Sequence, residues 1–132
     1  GAFSWDVGWI AVPAGILITA ILWINEFPDL ESDAQVGKRN LVVRLGTRRA
    51  AVGYELLVLG AYLSVGLAIA LGWAPPGAAA VLLAAPLTAK AIRLLRAHHA
   101  DPVAIVPAQA ATIGQHALFL ALLTAALLTA LL

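Results

Sequence analysis

The sequence predicts an all-α protein, a polytopic transmembrane bundle of four spans, and three observations carry that prediction. Of its 132 residues 62% are hydrophobic and 11% charged, where soluble domains carry about 25% charged residues, and the mean hydropathy is +0.94. Four apolar runs, at about residues 7–25, 51–72, 78–97 and 111–132, each approach the roughly 20 residues that one bilayer crossing requires. The charged residues gather in or beside the connections, and alternate connections are basic. Hydrocarbon offers the backbone no hydrogen-bond partner, so such runs satisfy their own amides as helices.

The first run, residues 7–25, carries no charge. Pro13 and Gly15 lie inside it and mark a candidate kink. Trp5, Trp9 and Trp23 sit near its ends, as an interfacial aromatic belt would place them. Residues 26–49 form a polar connection. Within it Pro28 suits a first helical turn, and a short helix over residues 28–36 ending at Gly37 is expected. Thr47 is a candidate N-cap for the second span, whose one charge is Glu55. Gly72-Trp73-Ala74-Pro75-Pro76-Gly77 cannot continue a helix and makes an uncharged turn. The third span ends in Lys90, Arg93 and Arg96, whose stems can snorkel to headgroups, and then in His98-His99. Residues 103–110, with Pro107, are expected as an interfacial approach to the fourth span.

The chain has no cysteine, which excludes disulfides and thiolate metal sites. A net charge of +1 gives nucleic acid no electrostatic support. Lys38, Arg39, Arg44, Arg48 and Arg49 in the first connection, against none in the second, orient that connection toward the cytoplasm and make this an integral protein of the cytoplasmic membrane. The start at Gly1 and the lack of Met suggest a piece of something longer.

The chemistry concentrates between Asn25 and Leu41. Glu26, Asp29, Glu31 and Asp33 are followed by Lys38 and Arg39. Asn25, Asp29 and Asp33 recur every fourth residue, one helical turn apart. Oxygen ligands at that spacing suit a hard cation such as Mg²⁺, which keeps several waters and shares its ligands with phosphate. The basic pair is placed to take the remaining phosphate charge. Glu26 and Glu31 fall on other faces and are expected to be solvated.

Asn25-x-x-x-Asp29-x-x-x-Asp33, followed by Gly37-Lys38-Arg39-Asn40-Leu41-x-Val43-Arg44-Leu45-Gly46, resembles the second aspartate-rich motif of the UbiA superfamily of membrane prenyltransferases. Within the superfamily it is most similar to the dihydroxynaphthoate polyprenyltransferases of menaquinone synthesis. The close match covers about residues 25–46; beyond it only the number, spacing and orientation of the spans agree. The resemblance implies nine transmembrane helices in the whole enzyme, with this chain, residues 1–132, as its C-terminal part. It implies two Mg²⁺ ions, one per aspartate motif, and the first motif is not in this sequence. Asp29 and Asp33 would be metal ligands and catalytic, with Asn25 a ligand or an orienter. Lys38 and Arg39 would bind diphosphate, and Arg44, inside the matching run, is a further substrate contact. The implied partners are a prenyl diphosphate, an aromatic acceptor of the dihydroxynaphthoate kind, the lipid bilayer and the missing N-terminal half, without which this stretch would be inactive.

Two other readings compete. A phosphatidyltransferase acting on CDP-activated lipids also uses spaced aspartates and Mg²⁺, but its Asp-Gly and Ala-Arg signature is not found here. A non-catalytic membrane subunit could use the acidic connection merely to bind cations. Trp23 and Phe27 are anchors or cation-stabilising rings, with anchoring favoured. His116 either bonds Thr112 one turn back or faces a cavity, while Asn40, Gln109 and Gln115 have no assigned role.

Overall fold

The computed structural model describes residues 8–130, so Trp5, Asp6 and the extreme ends of the first and fourth expected spans lie outside the described residues. Six α-helices follow one another: α1 (Ala11–Asn25), α2 (Leu30–Gln35), α3 (Leu41–Leu45), α4 (Thr47–Ala70), α5 (Ala85–His98) and α6 (Val106–Thr129), with a 3₁₀ segment, Pro76–Ala84, leading into α5. No strand occurs among the described residues.

The apolar runs became helices, but prolines set their bounds. Pro13 falls in the first turn of α1 rather than at a kink. It has no N–H to give the Trp9 carbonyl, which accepts from Val12 N at 3.1 Å instead. Pro86 divides the third span, since its ring would strike the Leu82 carbonyl of a continuous α-helix. The chain is 3₁₀ up to Ala84, and Ala85 N–H bonds the same Leu82 carbonyl three residues back. Pro107 opens α6, where a missing N–H costs nothing. The expected interfacial approach at residues 103–110 is therefore mostly helix.

α4, the continuous Pro76–His98 segment and α6 are each long and apolar enough to cross a membrane. α1, with 15 residues, rises only about 22 Å against a hydrocarbon core of about 30 Å. α1 packs on α4 and α6, and the Pro76–His98 segment packs on α4 and α6 in turn. The four elements therefore close into a ring around one interior.

The interior is rich in alanine and partly polar around a few large rings and aliphatic side chains, while the outside is greasy. Ala20, Ala61, Ala68, Ala84, Ala91 and Ala108 are buried, whereas Leu22, Leu56, Leu63 and Leu83 are exposed. Small residues let helix backbones approach within lipid, and aliphatic side chains are as comfortable facing lipid tails as each other. The arrangement is that of a polytopic membrane bundle. Across the interior Tyr54 and Thr112 share a hydrogen bond of 2.6 Å, as do Tyr62 and Thr88. Phe119 packs edge-on to Tyr62 with ring centroids 5.0 Å apart. Thr112 also bonds the Ala108 carbonyl, so it is Tyr54, not His116, that it pairs with.

The α5–α6 connection turns on Asp101, whose Oδ1 accepts from Val103 N and Ala104 N, both at 2.9 Å. The Ala104 and Val103 bonds hold its carboxyl below the ordinary 3.8. A depressed carboxylate contributes stability above its unfolded pKa and loses it as pH falls through the folded one. Asp101→Ala is therefore expected to unfold at lower temperature than the parent at pH 7. The gap should narrow as pH is lowered through 3.8, as thermal melts in detergent would show.

Candidate functional site

All charged side chains of the described residues belong to one end of the bundle, where α1 and α5 finish and α4 and α6 begin, with Glu55 and Lys90 set a little way inside. The 72–77 turn at the other end has none. Here the chain leaves α1 through a turn of three-residue bonds, Glu26 N to Trp23 O at 3.2 Å and Phe27 N to Ile24 O at 3.4 Å. Pro28, lacking an N–H, sits where this turn interrupts the α pattern. Ile24 and Phe27 are buried and anchor it. α2 then starts, and Asp33 N donates to Asp29 O at 2.8 Å. Asp29 and Asp33 are thus one α-turn apart, as their spacing predicts, while Asn25 lies beyond an irregular turn.

The α2 terminus builds the rest. Gly37 has φ +76°; its N–H bonds Ala34 O at 3.2 Å and Lys38 N bonds Asp33 O at 2.9 Å. This paired closure needs a left-handed residue at Gly37, and it folds residues 38–40 back over α2. Lys38 Nζ then lies 2.8 Å from Asp33 Oδ2, and Asn40 Nδ2 donates to the same oxygen at 2.7 Å. Asn40 Oδ1 accepts from Val43 N at 2.8 Å and caps α3. The Asp33 side chain is only 13% exposed, Lys38 56%. The bond to Asp33 raises the Lys38 ammonium above 10.5, so it is charged throughout the neutral range. Gly37→Ala forces a Cβ into the left-handed region, at about 1 kcal/mol. A lowered melting temperature is expected, together with a larger loss of activity than of stability because Lys38 and Asn40 move off Asp33.

Asn25 Oδ1 accepts from Gln109 Nε2, on α6, at 2.9 Å. Asp29, Arg39 and Arg44 are exposed, and their side chains make no ion pair or hydrogen bond among the described residues. The structure thus brings Asp33, Lys38 and Asn40 together and holds Asn25 through α6. It leaves Asp29, Arg39 and Arg44 facing outward. Asn40 has no role assigned from the sequence, although an Asn directly ahead of an apolar turn is a common N-cap and is the signal that could have found it. Gln109 had no signal, since its partner is 84 residues away.

Other expectations change. Gly46, not Thr47, is the N-cap of α4. Its φ of 75° and ψ of 154° belong to a region essentially closed to other residues. Thr47 is instead the first helical residue, and its hydroxyl pairs with His99 Nδ1 at 2.9 Å. Glu55 meets Arg96 across α4 and α5, with Nε 3.1 Å away. Trp9 and Trp23 lie near the two ends of α1 but turn inward. Trp9 is buried, Trp23 packs on Gly53, and Phe27 is 4% exposed, so these rings are engaged in packing.

The donor set fits a hard cation. Asp29 offers both carboxylate oxygens, Asp33 retains Oδ1, and Asn25 Oδ1 has a second lone pair. Yet no group of three or more His, Cys, Asp or Glu side chains among the described residues could hold a metal by itself. A cation here needs water or phosphate oxygens as well, which is the habit of Mg²⁺.

The UbiA prenyltransferase family model matches residues 1–109. The chain is 37% identical over 97 residues to the 1,4-dihydroxy-2-naphthoate octaprenyltransferase of Escherichia coli, covering 74% of this chain and 31% of that protein. It is 35% identical over 94 residues to the Mycobacterium leprae protein of the same name, covering 70% and 31%. It is 29% identical over 101 residues to the 2-carboxy-1,4-naphthoquinone phytyltransferase of Synechocystis sp., covering 76% and 33%. No solved structure matches. The chain spans about a third of the length of these relatives. With the family match running over most of its length, the chain belongs to the UbiA prenyltransferase family.

Proposed function

We infer that residues 1–132 form the C-terminal part of an integral membrane enzyme that transfers a polyprenyl group from a prenyl diphosphate to a naphthoate-type aromatic acceptor in quinone synthesis. The observation that carries the reading is Asp29 and Asp33 one turn apart at the charged end of the bundle, with Lys38 folded back between α2 and α3. The naphthoate prenyltransferases among its relatives support the acceptor class. In this reading the helical elements correspond to the last four of nine, and the excess of Lys and Arg supports a cytoplasmic position for the charged end.

In this reading Asp29 and Asp33 are the catalytic metal ligands. Asn25, steadied by Gln109, completes or orients their side of the site. Mg²⁺ supplies charge neutralisation for the departing diphosphate. Lys38, Arg39 and Arg44 take the remaining diphosphate charge, which grows as the allylic carbon–oxygen bond breaks. Lys38 is more than half exposed and rests on Asp33, so it can swing from carboxylate to phosphate without unfolding anything. The apolar chamber for the polyprenyl chain and the first aspartate motif belong to the rest of the enzyme.

The full-length protein in lipid vesicles, given prenyl diphosphate, dihydroxynaphthoate and Mg²⁺, is expected to form the prenylated product. Chelation should stop it and added Mg²⁺ should restore it. Turnover of a CDP-activated lipid in place of prenyl diphosphate, or product formed at full rate in chelator, would overturn the assignment.

A further inference from the structure

We propose that the groove between the start of α4 and the end of α5 is a binding site for one anionic glycerophospholipid, separate from the aspartate motif. A recess of about 290 Å³ there is lined by Arg48, Ala51, Val52, Arg96 and His99. Along the outer face of α5 lies a second, broader recess lined by Ala89, Ile92, Arg93, Arg96 and Ala97. Arg96 borders both, so its guanidinium lies between a charged recess at the rim and a largely apolar stretch of the α5 face. That juxtaposition has the form of a phospholipid: a phosphate among guanidiniums, with acyl chains alongside.

The charges around the groove support the occupant. Arg48 and Arg93 have no ion pair among the described residues. Arg96 gives Nε and Nη2 to a single oxygen of Glu55. This fixes the guanidinium across the α4–α5 contact and leaves Nη1 for another acceptor, since the fork has five donors. His99 Nδ1 is engaged by the Thr47 hydroxyl, which keeps the ring at the groove and its other nitrogen available. Glu55 is taken up by Arg96, and Glu31 lines a neighbouring recess with His99, so Arg48, Arg93 and Arg96 still outnumber the acids beside the groove. Basic pockets between transmembrane helices at the headgroup level are suited to anionic lipid heads, and each Lys or Arg there contributes about 1 kcal/mol. The groove lies on α4 and α5, whereas the aspartate motif is carried by the segment between α1 and α4. The site does not depend on which reaction the motif performs.

Full-length protein in detergent would be titrated with phosphatidylglycerol, phosphatidylcholine or inorganic phosphate, and bound lipid counted by native mass spectrometry. Phosphatidylglycerol is expected to remain bound where phosphatidylcholine does not, with affinity falling as salt rises. Arg48→Gln should weaken it about fivefold, the effect of one basic residue at the headgroup level. Arg48 is exposed on the first turn of α4 and its side chain makes no ion pair or hydrogen bond among the described residues, so the variant is expected to fold. In the unaltered protein a photoactivatable phosphatidylglycerol should crosslink within residues 48–52 and 89–99. Equal retention of both lipids, full retention in the Arg48→Gln protein, or competition by inorganic phosphate at lipid concentrations would overturn the proposal. So would crosslinks that avoid the groove because another part of the full-length chain covers it.

Discussion

Alanine at Asp29 or Asp33 in the full-length enzyme is expected to lower kcat/KM for prenyl transfer by about 10³-fold or more, the order of effect seen when one preorganised charge-stabilising group is removed. The two positions differ in what else they do. The Asp29 side chain makes no hydrogen bond or ion pair among the described residues. Asp29→Ala should therefore melt like the parent and fail only in turnover, with a raised Mg²⁺ requirement. Asp33 also accepts from Lys38 and Asn40 through one oxygen. Asp33→Ala removes that acceptor and should cost stability as well. Asp33→Asn separates the roles: its carbonyl can still receive both donors, but the negative charge is gone. It should hold the melting temperature close to the parent while activity falls nearly as far as in the alanine variant. Unchanged turnover in Asp29→Ala would remove the metal assignment; loss of activity only in step with loss of folding would make Asp33 a structural residue.

Gly53→Ala is expected to destabilise the bundle by about 1–3 kcal/mol, the usual result of pushing a methyl group into a filled contact. A Cβ at Gly53 would lie 2.7 Å from Trp23 Cζ2 and 3.1 Å from Cη2. The indole packs between α1 and α4 with its Nε1 buried and without a partner, so an added methyl must push the ring out into the recess it lines with Ile16, Leu56 and Gly60 or part the helices. Small residues at such crossings are what allow close approach in lipid. Trp23→Leu in the Gly53→Ala background should recover most of the loss, because the atoms that collide are then absent. The double variant should be more stable than the sum of the single changes, a coupling expected of residues in contact. A Gly53→Ala protein that melts like the parent would mean that α1 and α4 do not pack through this pair.

The outcome at particular residues shows where local chemistry ends. Gly37 could be assigned as the end of the acidic helix because a glycine after a short helical run has one common use, and its φ of +76° agrees. The four-residue spacing of Asp29 and Asp33 likewise survives, since a single α-turn connects them. Thr47 misled because a threonine before a span looks like a cap, while the flanking Gly46 turns the chain in a way no side chain requires. Pro107 misled in the other direction, since a proline both ends and begins helices. Lys38 was legible as a cation beside the acids, but its 2.8 Å contact with Asp33 was not, because that distance depends on the turn at Gly37.

Composition and the placement of apolar runs determined that this chain is a helical membrane bundle with its charge at one end, because lipid leaves the backbone no other way to satisfy its amides. The order of residues in the acidic segment determined its family and its candidate chemistry. Only the tertiary structure decided that Gln109 steadies Asn25, that Glu55 takes Arg96, that His99 meets Thr47, and that Trp23 lies on Gly53. Each joins residues far apart in the chain, and a linear pattern of hydrophobicity and charge carries no term for distances that arise only when helices pack.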